Sequence, residues 1–482
     1  MASDRIAVPW PAVHFVGVGG HSMSGLAAAL AHLGAAVSGS DVVASERTAR
    51  AAAAGVRLRI GHCAAAVAEL PPGALVVHST DVPPDNPELR AAQARGLPLA
   101  HRSEVLAWFL AAAGPASVAV TGTHGKTTTT ALCGLALLAA GQDPTIFVGA
   151  DVPSLEGGNH RLGAGPVVAE ADESDGSFLR YHPDVAVVTN AEPEHLEHYG
   201  HDFANVLAAY RRFVQGVRPG GRAVVCADDP GLRSLLADHS GGPEILWYGL
   251  GPDAELTATD VVGVLWETRF RVRLRGRELG AFRLAVPGRH NVADCLGAIG
   301  VAWHLGCDLQ AVAAAFADFR GAVRRFQVLC REHGVTVVDD YAHNPSKVAA
   351  AIAGARQAVG DGRVLGVFQP HRYQRTAQLW DAFGPAFGGC DLLLCTDIYA
   401  PAGEVPLPGV EGAAFAAMVG RRSRVPVRYI PRLPDVAPAC LAECRPGDVV
   451  LVMGAGSITA VAAELAGRLR TAGGLPQAAG VV

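Results

Sequence analysis

The sequence predicts an α/β protein of three domains, with Rossmann-like folds at both ends and a further parallel sheet between them. Three observations predict it. The chain has 482 residues, too many for one core and suited to about three domains of roughly 100 to 200 residues each. Apolar strands repeatedly run into glycine-rich or polar turns and then into alanine-rich helices, the rhythm of parallel α/β units. That rhythm starts afresh after Gly114-Pro115 and again after Phe319-Arg320-Gly321, giving expected domains 1–113, 114–320 and 321–482.

Composition narrows the function classes. Half of the residues are apolar and 18% are charged, which excludes a fully disordered chain. A formal net charge of −5 gives no electrostatic reason to expect a nucleic-acid partner or a membrane surface. No uninterrupted apolar run approaches the ~20 residues needed to span a bilayer, so no membrane insertion is expected. Ten cysteines without a Cys-x-x-Cys pair, and an N-terminus without a basic stretch and apolar core, predict reduced thiols in the cytoplasm. The 40 basic residues include two lysines, Lys126 and Lys347, and the rest are arginine. A lysine that survives such a bias marks a position worth close inspection.

The first domain opens with the strand Val13 to Val16 and the turn Gly17-Val18-Gly19-Gly20-His21-Ser22-Met23-Ser24-Gly25, with Ser40-Asp41 near the end of the next strand. This is nearly the dinucleotide fingerprint, whose glycines let the backbone approach a pyrophosphate and whose acid meets a ribose. Ser22 stands where the third glycine belongs. The pattern alone leaves a nicotinamide or flavin and another pyrophosphate ligand both open.

The second domain carries the strongest signal. The strand Ser117 to Val120 feeds Thr121-Gly122-Thr123-His124-Gly125-Lys126-Thr127-Thr128, and a helix is expected over Ala131 to Ala140. A strand, a glycine turn and a helix start aim several N–H groups at one spot, which suits a nucleotide triphosphate on a P-loop ATPase-type parallel sheet. Lys126 would reach the terminal phosphates and Thr127 would offer its hydroxyl to Mg²⁺. Val120 replaces the first glycine of the longer phosphate-loop pattern, so the match is to a shorter relative, Gly-Thr-x-Gly-Lys-Thr. Downstream, the strand Val167 to Ala169 ends in Glu170-Ala171-Asp172-Glu173-Ser174-Asp175, four carboxylates that repel one another unless cations are present. His195, His198 and His201 follow the strand Val185 to Thr189. Their spacing suggests zinc, but no cysteine cluster supports it, and His198 and His201 read as solvated.

In the third domain polar residues stand at the ends of four expected strands: Asp339 to Pro345, Gln369 to Arg375, Asp397 to Glu404 and Gly454 to Gly456. Four such ends line one crevice of a parallel sheet. Arg372 and Arg375 could each clamp a carboxylate or phosphate. Lys347 reads as a solvated surface charge, and Thr471 to Val482 as a mobile tail.

With these residues in place the chain resembles the Mur ligases over nearly its whole length. The glycine turn through Met23-Ser24-Gly25, Ser40-Asp41, Asn86-Pro87-Glu88, the Lys126 loop, the acidic run, Gly288-Arg289-His290-Asn291, Arg324-Arg325-Phe326, Phe368 to Tyr373 and Ala402-Gly403-Glu404 follow the family's order. The resemblance implies an ATP-dependent ligase that joins an amino acid, L-alanine, to the lactyl carboxylate of UDP-N-acetylmuramate through an acyl phosphate. It implies ATP and Mg²⁺ as cofactors, with Thr127, Glu170 and His195 as metal ligands. Gly122, Thr123, His124, Gly125, Lys126, Thr127, Thr128, His290, Asn291, Asp294, Arg325 and Asp340 would hold ATP. Gly17, Gly19, Gly20, His21, Ser22, Met23, Ser24, Asp41, Ser79 and Ser174 would contact the UDP-sugar, and His343, His371, Arg372 and Arg375 would surround the amino acid and acyl phosphate.

The chain departs from the family at Ser22, at Asp294 in place of an adenine-reading asparagine, at Glu192-Pro193-Glu194-His195-Leu196, and at Tyr341-Ala342-His343-Asn344-Pro345. The last leaves the amino acid open between L-alanine and another amine. A folylpolyglutamate synthase is disfavoured by the domain that precedes the loop. A nicotinamide-dependent oxidoreductase leaves Lys126 unexplained, and a degenerate, regulatory relative is opposed by intact Lys126, Thr127, Glu170 and His195.

Overall fold

The computed structural model describes residues 7–112, 114–155, 158–238, 241–401 and 403–472. They form two compact units: Met1–Thr259 with Arg271–Phe282 and Ala293–Asp318, and Asp260–Phe270 with Arg283–Val292 and Phe319–Val482.

The first unit begins with strands β1 (Val13–Val16), β2 (Val37–Asp41), β3 (Arg57–Ile60), β4 (Leu75–His78) and β5 (Leu99–His101). They pair in parallel in the order β3-β2-β1-β4-β5. The order reverses beside β1, and that switch point opens a crevice at the strands' carboxyl ends. The glycine turn and the helix His21–His32 stand there.

A ten-stranded sheet follows: β6 (Ser117–Thr121), β7 (Thr145–Phe147), β8 (His160–Arg161), β9 (Val167–Glu170), β10 (Val185–Val188), β11 (Arg222–Cys226), β12 (Glu244–Gly249), β13 (Leu256–Val264), β14 (Glu267–Leu274) and β15 (Arg277–Leu284). β6 lies between β10 and β9, parallel to both. Every residue of β6 and β10 is buried. Burial on both faces explains why these strands read as unbroken apolar runs rather than alternating ones. One buried cluster continues from Val13 in β1 through Phe109 and Phe147, whose rings are 4.8 Å apart, to Leu236.

The third sheet comprises β16 (Gln327–Glu332), β17 (Val335–Asp340), β18 (Val364–Phe368), β19 (Leu392–Cys395), β20 (Val427–Tyr429) and β21 (Val449–Met453), in the order β16-β17-β21-β18-β19-β20. All pairs are parallel except β16 with β17. Successive residues pack on opposite faces: Val337, Val450 and Val452 in one cluster, Val338, Leu451 and Met453 in the other.

Two expectations shift. The helix after the phosphate loop spans Lys126–Ala139, its start five residues before Ala131, because the four threonines pack into the interior, where burial outweighs their weak helix preference. The expected tail begins too soon, since Thr471 closes the helix Thr459–Thr471; the remainder, 473–482, lies outside the described residues.

Candidate active site

The turn Gly122 to Gly125 leads from β6 straight into the helix Lys126–Ala139, so Lys126, Thr127 and Thr128 occupy its first turn. N–H groups there have no partner within the helix and carry the positive end of its dipole. The backbone demands glycine twice. Gly122 has φ 134° and a Cβ there would collide with Thr189 Oγ1; Gly125 has φ 80° and a Cβ would strike Asp294 Oδ1. The exit of β10 braces the turn. His124 N–H donates to Asn190 Oδ1 at 2.8 Å, Thr123 N–H to the Asn190 carbonyl at 3.2 Å, and Glu192 N–H to Thr123 Oγ1 at 2.8 Å.

Lys126 Nζ donates to the Gly122 carbonyl at 2.7 Å and lies 2.7 Å from Glu173 Oε2. Burial works against its ammonium, but Glu173, Asp172 and Glu170 together hold it above its ordinary range. Burial also pushes the Glu173 carboxyl up to about 7, although Lys126 pulls the other way. The acidic run is thus divided. Asp172 lies 3.5 Å from Arg102 and accepts the Ser174 N–H at 3.2 Å. Asp175 accepts the Thr80 hydroxyl at 2.7 Å and lies 3.9 Å from Arg102. Glu170 accepts the Thr127 hydroxyl at 3.2 Å and the Gly149 N–H at 2.7 Å. Cationic side chains answer three of the four carboxylates and the Thr127 hydroxyl the fourth, so the run is less a metal cluster than its spacing predicts.

Thr127 and Glu170 supply hard oxygens of the kind Mg²⁺ takes while it keeps waters and phosphate oxygens around it. His195 sits at φ 55°, 3.9 Å from Glu194 and 3.8 Å from Glu197. Among the described residues no three His, Cys, Asp or Glu side chains converge as a metal cluster, so His195 is not gathered with Glu170 into one. His198 and His201 are exposed.

At the other glycine turn, Gly17 N–H donates to the Ser40 carbonyl at 2.8 Å and Gly20 N–H to the Gly17 carbonyl at 3.1 Å. Asp41 Oδ2 accepts the Gly19 N–H at 2.7 Å and Oδ1 the Val43 N–H at 3.2 Å. The acid therefore closes its own loop rather than standing open to a ribose. Arg47 donates to the Gly19 carbonyl at 2.7 Å, a role sequence reasoning missed. Met23 and Ser24 are buried, and the Ser24 hydroxyl donates to the His21 carbonyl. His21 and Ser22 line a cavity of about 190 Å³ that Arg102, Glu170 and Asp172 also border. Ser79 is half-buried after β4. Fully buried Glu88 accepts the Ser40 hydroxyl at 2.6 Å and the Cys63 N–H at 3.0 Å and lies 3.1 Å from His14, tying β1, β2 and the loop after β3 together. The Asn86-Pro87-Glu88 motif was its signal.

On the helix Arg289–His304, Asn291 donates to the Pro287 carbonyl at 2.7 Å, His290 is exposed beside Gly288, and buried Asp294 packs over Gly125.

In the third sheet β17, β21, β18 and β19 are neighbours, and their carboxyl ends carry the four expected polar segments. Arg375 donates to His371 Nδ1 at 3.0 Å. His371 stacks on Tyr399 at 5.2 Å and lies 6.1 Å from His343. Burial and the guanidiniums of Arg375 and Arg372 push His371 down to about 4, so its ring is a neutral acceptor. Arg372 has φ 67°, a conformation costly for a residue with a Cβ, held by its N–H bond to the Tyr399 carbonyl at 2.8 Å. Asp340 departs from its expected reach to a nucleotide: its oxygens accept the Phe326 and Ala342 N–H groups, both at 2.7 Å. Arg325 lies over the Tyr341 ring at 5.2 Å. Lys347 is half-buried rather than solvated, its N–H donating to Asn344 Oδ1 at 2.9 Å. Ala402 lies outside the described residues.

Three family models match the chain: "Mur ligase family, catalytic domain" over residues 12–113, "Mur ligase middle domain" over 120–302 and "Mur ligase, glutamate ligase domain" over 324–456. The UDP-N-acetylmuramate–L-alanine ligase of Symbiobacterium thermophilum is 48% identical over 95% of both chains. The enzyme of that name from Pelotomaculum thermopropionicum is 44% identical over 95% of this chain and 97% of its own. Among solved structures, the UDP-N-acetylmuramate-alanine ligase of Thermotoga maritima matches with a TM-score of 0.81 at 29% identity, covering 95% of this chain and 99% of that one. No helix among the described residues is long and apolar enough to cross a membrane.

Proposed function

The chain belongs to the Mur ligase family, and from that premise we propose that it joins L-alanine to the lactyl carboxylate of UDP-N-acetylmuramate with ATP, releasing ADP and phosphate, in peptidoglycan precursor synthesis. The observation that carries this reading is near-full-length likeness to ligases of that name, joined to a phosphate loop whose lysine stands charged at a helix start.

The reaction needs an anionic carboxylate to approach a triphosphate. A carboxylate oxygen attacks the γ-phosphorus, the bond to the β-phosphate oxygen breaks, and ADP leaves. The amine then attacks the acyl carbon, a C–N bond forms as nitrogen gives up a proton, and the acyl C–O bond breaks as phosphate departs. Lys126 and the N–H groups after Gly125 lower the repulsion in the first step. By family likeness Thr127 and Glu170 would hold one or both of two Mg²⁺ ions and His195 the second, ions that neutralise phosphate charge when bound. His343, His371, Arg372 and Arg375 would receive the amino acid, the neutral His371 holding Arg375 in place. On this reading residues 1–113 take the UDP-sugar, 114–320 ATP and 321–482 the amino acid, and the enzyme works in the cytoplasm.

Phosphate release from ATP is expected only when UDP-N-acetylmuramate, Mg²⁺ and an amino acid are all present. Release indifferent to the sugar nucleotide overturns the assignment. A panel of amino acids in the same assay should give L-alanine the highest kcat/KM; a faster amine would show that Ala342 and Asn344 reset the choice.

A further inference from the structure

Arg102 belongs to none of the sequence motifs, and its position needs a reason. It opens the helix Arg102–Ala111, where a cation opposes the helix dipole. The neighbouring His101 is pushed down to about 4, first by burial and then by Arg102 itself, so the local positive charge belongs to the guanidinium. The Arg102 side chain is 14% exposed, yet its ion pairs are loose: a single nitrogen, Nη2, stands 3.5 Å from Asp172 and 3.9 Å from Asp175. A committed arginine–carboxylate pair closes to about 2.7–2.9 Å with two nitrogens. Among the described residues the rest of the fork has no carboxylate partner.

Arg102 also lines a cavity. Its 190 Å³ is bordered by His21 and Ser22 of the glycine turn and by Glu170 and Asp172 as well as by Arg102. Pockets for whole ligands run from roughly 300 Å³, so this space suits one segment of a longer substrate. On the proposed function the diphosphate would lie at the glycine turn, where Arg47 donates to the Gly19 carbonyl. Any second anion moving toward Glu170 meets two carboxylates, and a cation on the wall offsets part of that repulsion.

Resting on the function proposed above, we propose that Arg102 is a specificity-determining residue that binds the lactyl carboxylate of UDP-N-acetylmuramate and presents it to the phosphate loop. Asp172 holds the guanidinium until the substrate arrives.

The test is equilibrium binding of two sugar nucleotides to the full-length protein without ATP: UDP-N-acetylmuramate, and UDP-N-acetylglucosamine, which lacks the lactyl group. The wild type should prefer the first by about tenfold or more. Arg102→Met should lose most of that preference while binding the second within about threefold of wild type, and Arg102→Lys should recover part of it. Should Arg102→Met not fold, Arg102→Gln carries the same comparison. A preference unchanged in the variant, or equal weakening of both ligands, overturns the role of Arg102. A wild type that binds neither nucleotide overturns the underlying assignment instead.

Discussion

After β1 and after β6 the chain makes the same local move, a glycine turn that opens a helix at the carboxyl end of a parallel strand, yet neighbours give the two turns opposite characters. At the first, Asp41 takes the Gly19 N–H and Arg47 the Gly19 carbonyl, so the turn is tied off by its own side chains. At the second, Asn190 and Thr189 from the exit of β10 stiffen the backbone and an ammonium stands over it. A tied-off turn shapes a rigid wall for a ligand; a braced turn with a lysine makes a cationic cradle. The adjacent strand, not the glycine pattern, decides which is built.

The largest effect should come from the cradle. Lys126→Arg is expected to lower kcat about 10³-fold or more, because a broad fork cannot replace a compact ammonium there, while UDP-sugar binding stays near wild type. Comparable turnover in the variant would erase the distinction between the turns. Next is the wall: Asp41→Ala removes a charged acceptor from the Gly19 N–H and should raise KM for the sugar nucleotide about 10- to 100-fold with kcat little changed. A fall in kcat alone would mean that Asp41 serves chemistry. Smaller still, Glu173→Gln should lower KM for ATP a few-fold, about tenfold at most, since the carboxylate pairs with the same ammonium that the phosphates need. A raised KM would show Glu173 supporting Lys126 instead.

The smallest effect lies at the edge of the first sheet. His101 has its pKa pushed from 6.5 to about 4 in the folded protein. Between those values the unfolded chain binds more protons, so this contribution is present above pH 6.5 and is lost as pH falls toward 4. Thermal unfolding across that range should show His101→Gln with a shallower acid decline than wild type; an identical slope would remove His101 from the account.

Much of this was legible in the residues. Strands buried on both faces announce themselves as apolar runs, which is why the three sheets and the crevice of the third domain could be drawn beforehand. The loop at Lys126 was equally plain, because its glycines and its lysine answer to one backbone shape. Pairings between distant segments were not legible. Nothing local says that Glu173 meets Lys126, that Asp172 and Asp175 face Arg102, or that Asp340 serves the backbone of Phe326 and Ala342. The acidic run looked like a metal cluster because its cations come from segments 47 to 73 residues away in sequence.

The buried cluster that runs from Val13 to Leu236 has a thermodynamic consequence. Two sheets that share one core cannot melt separately, so the wall and the cradle belong to a single cooperative transition. A lesion in β1 then disarms the phosphate loop without touching it, and calorimetry should record one endotherm for these two sheets where the sequence suggests two bodies.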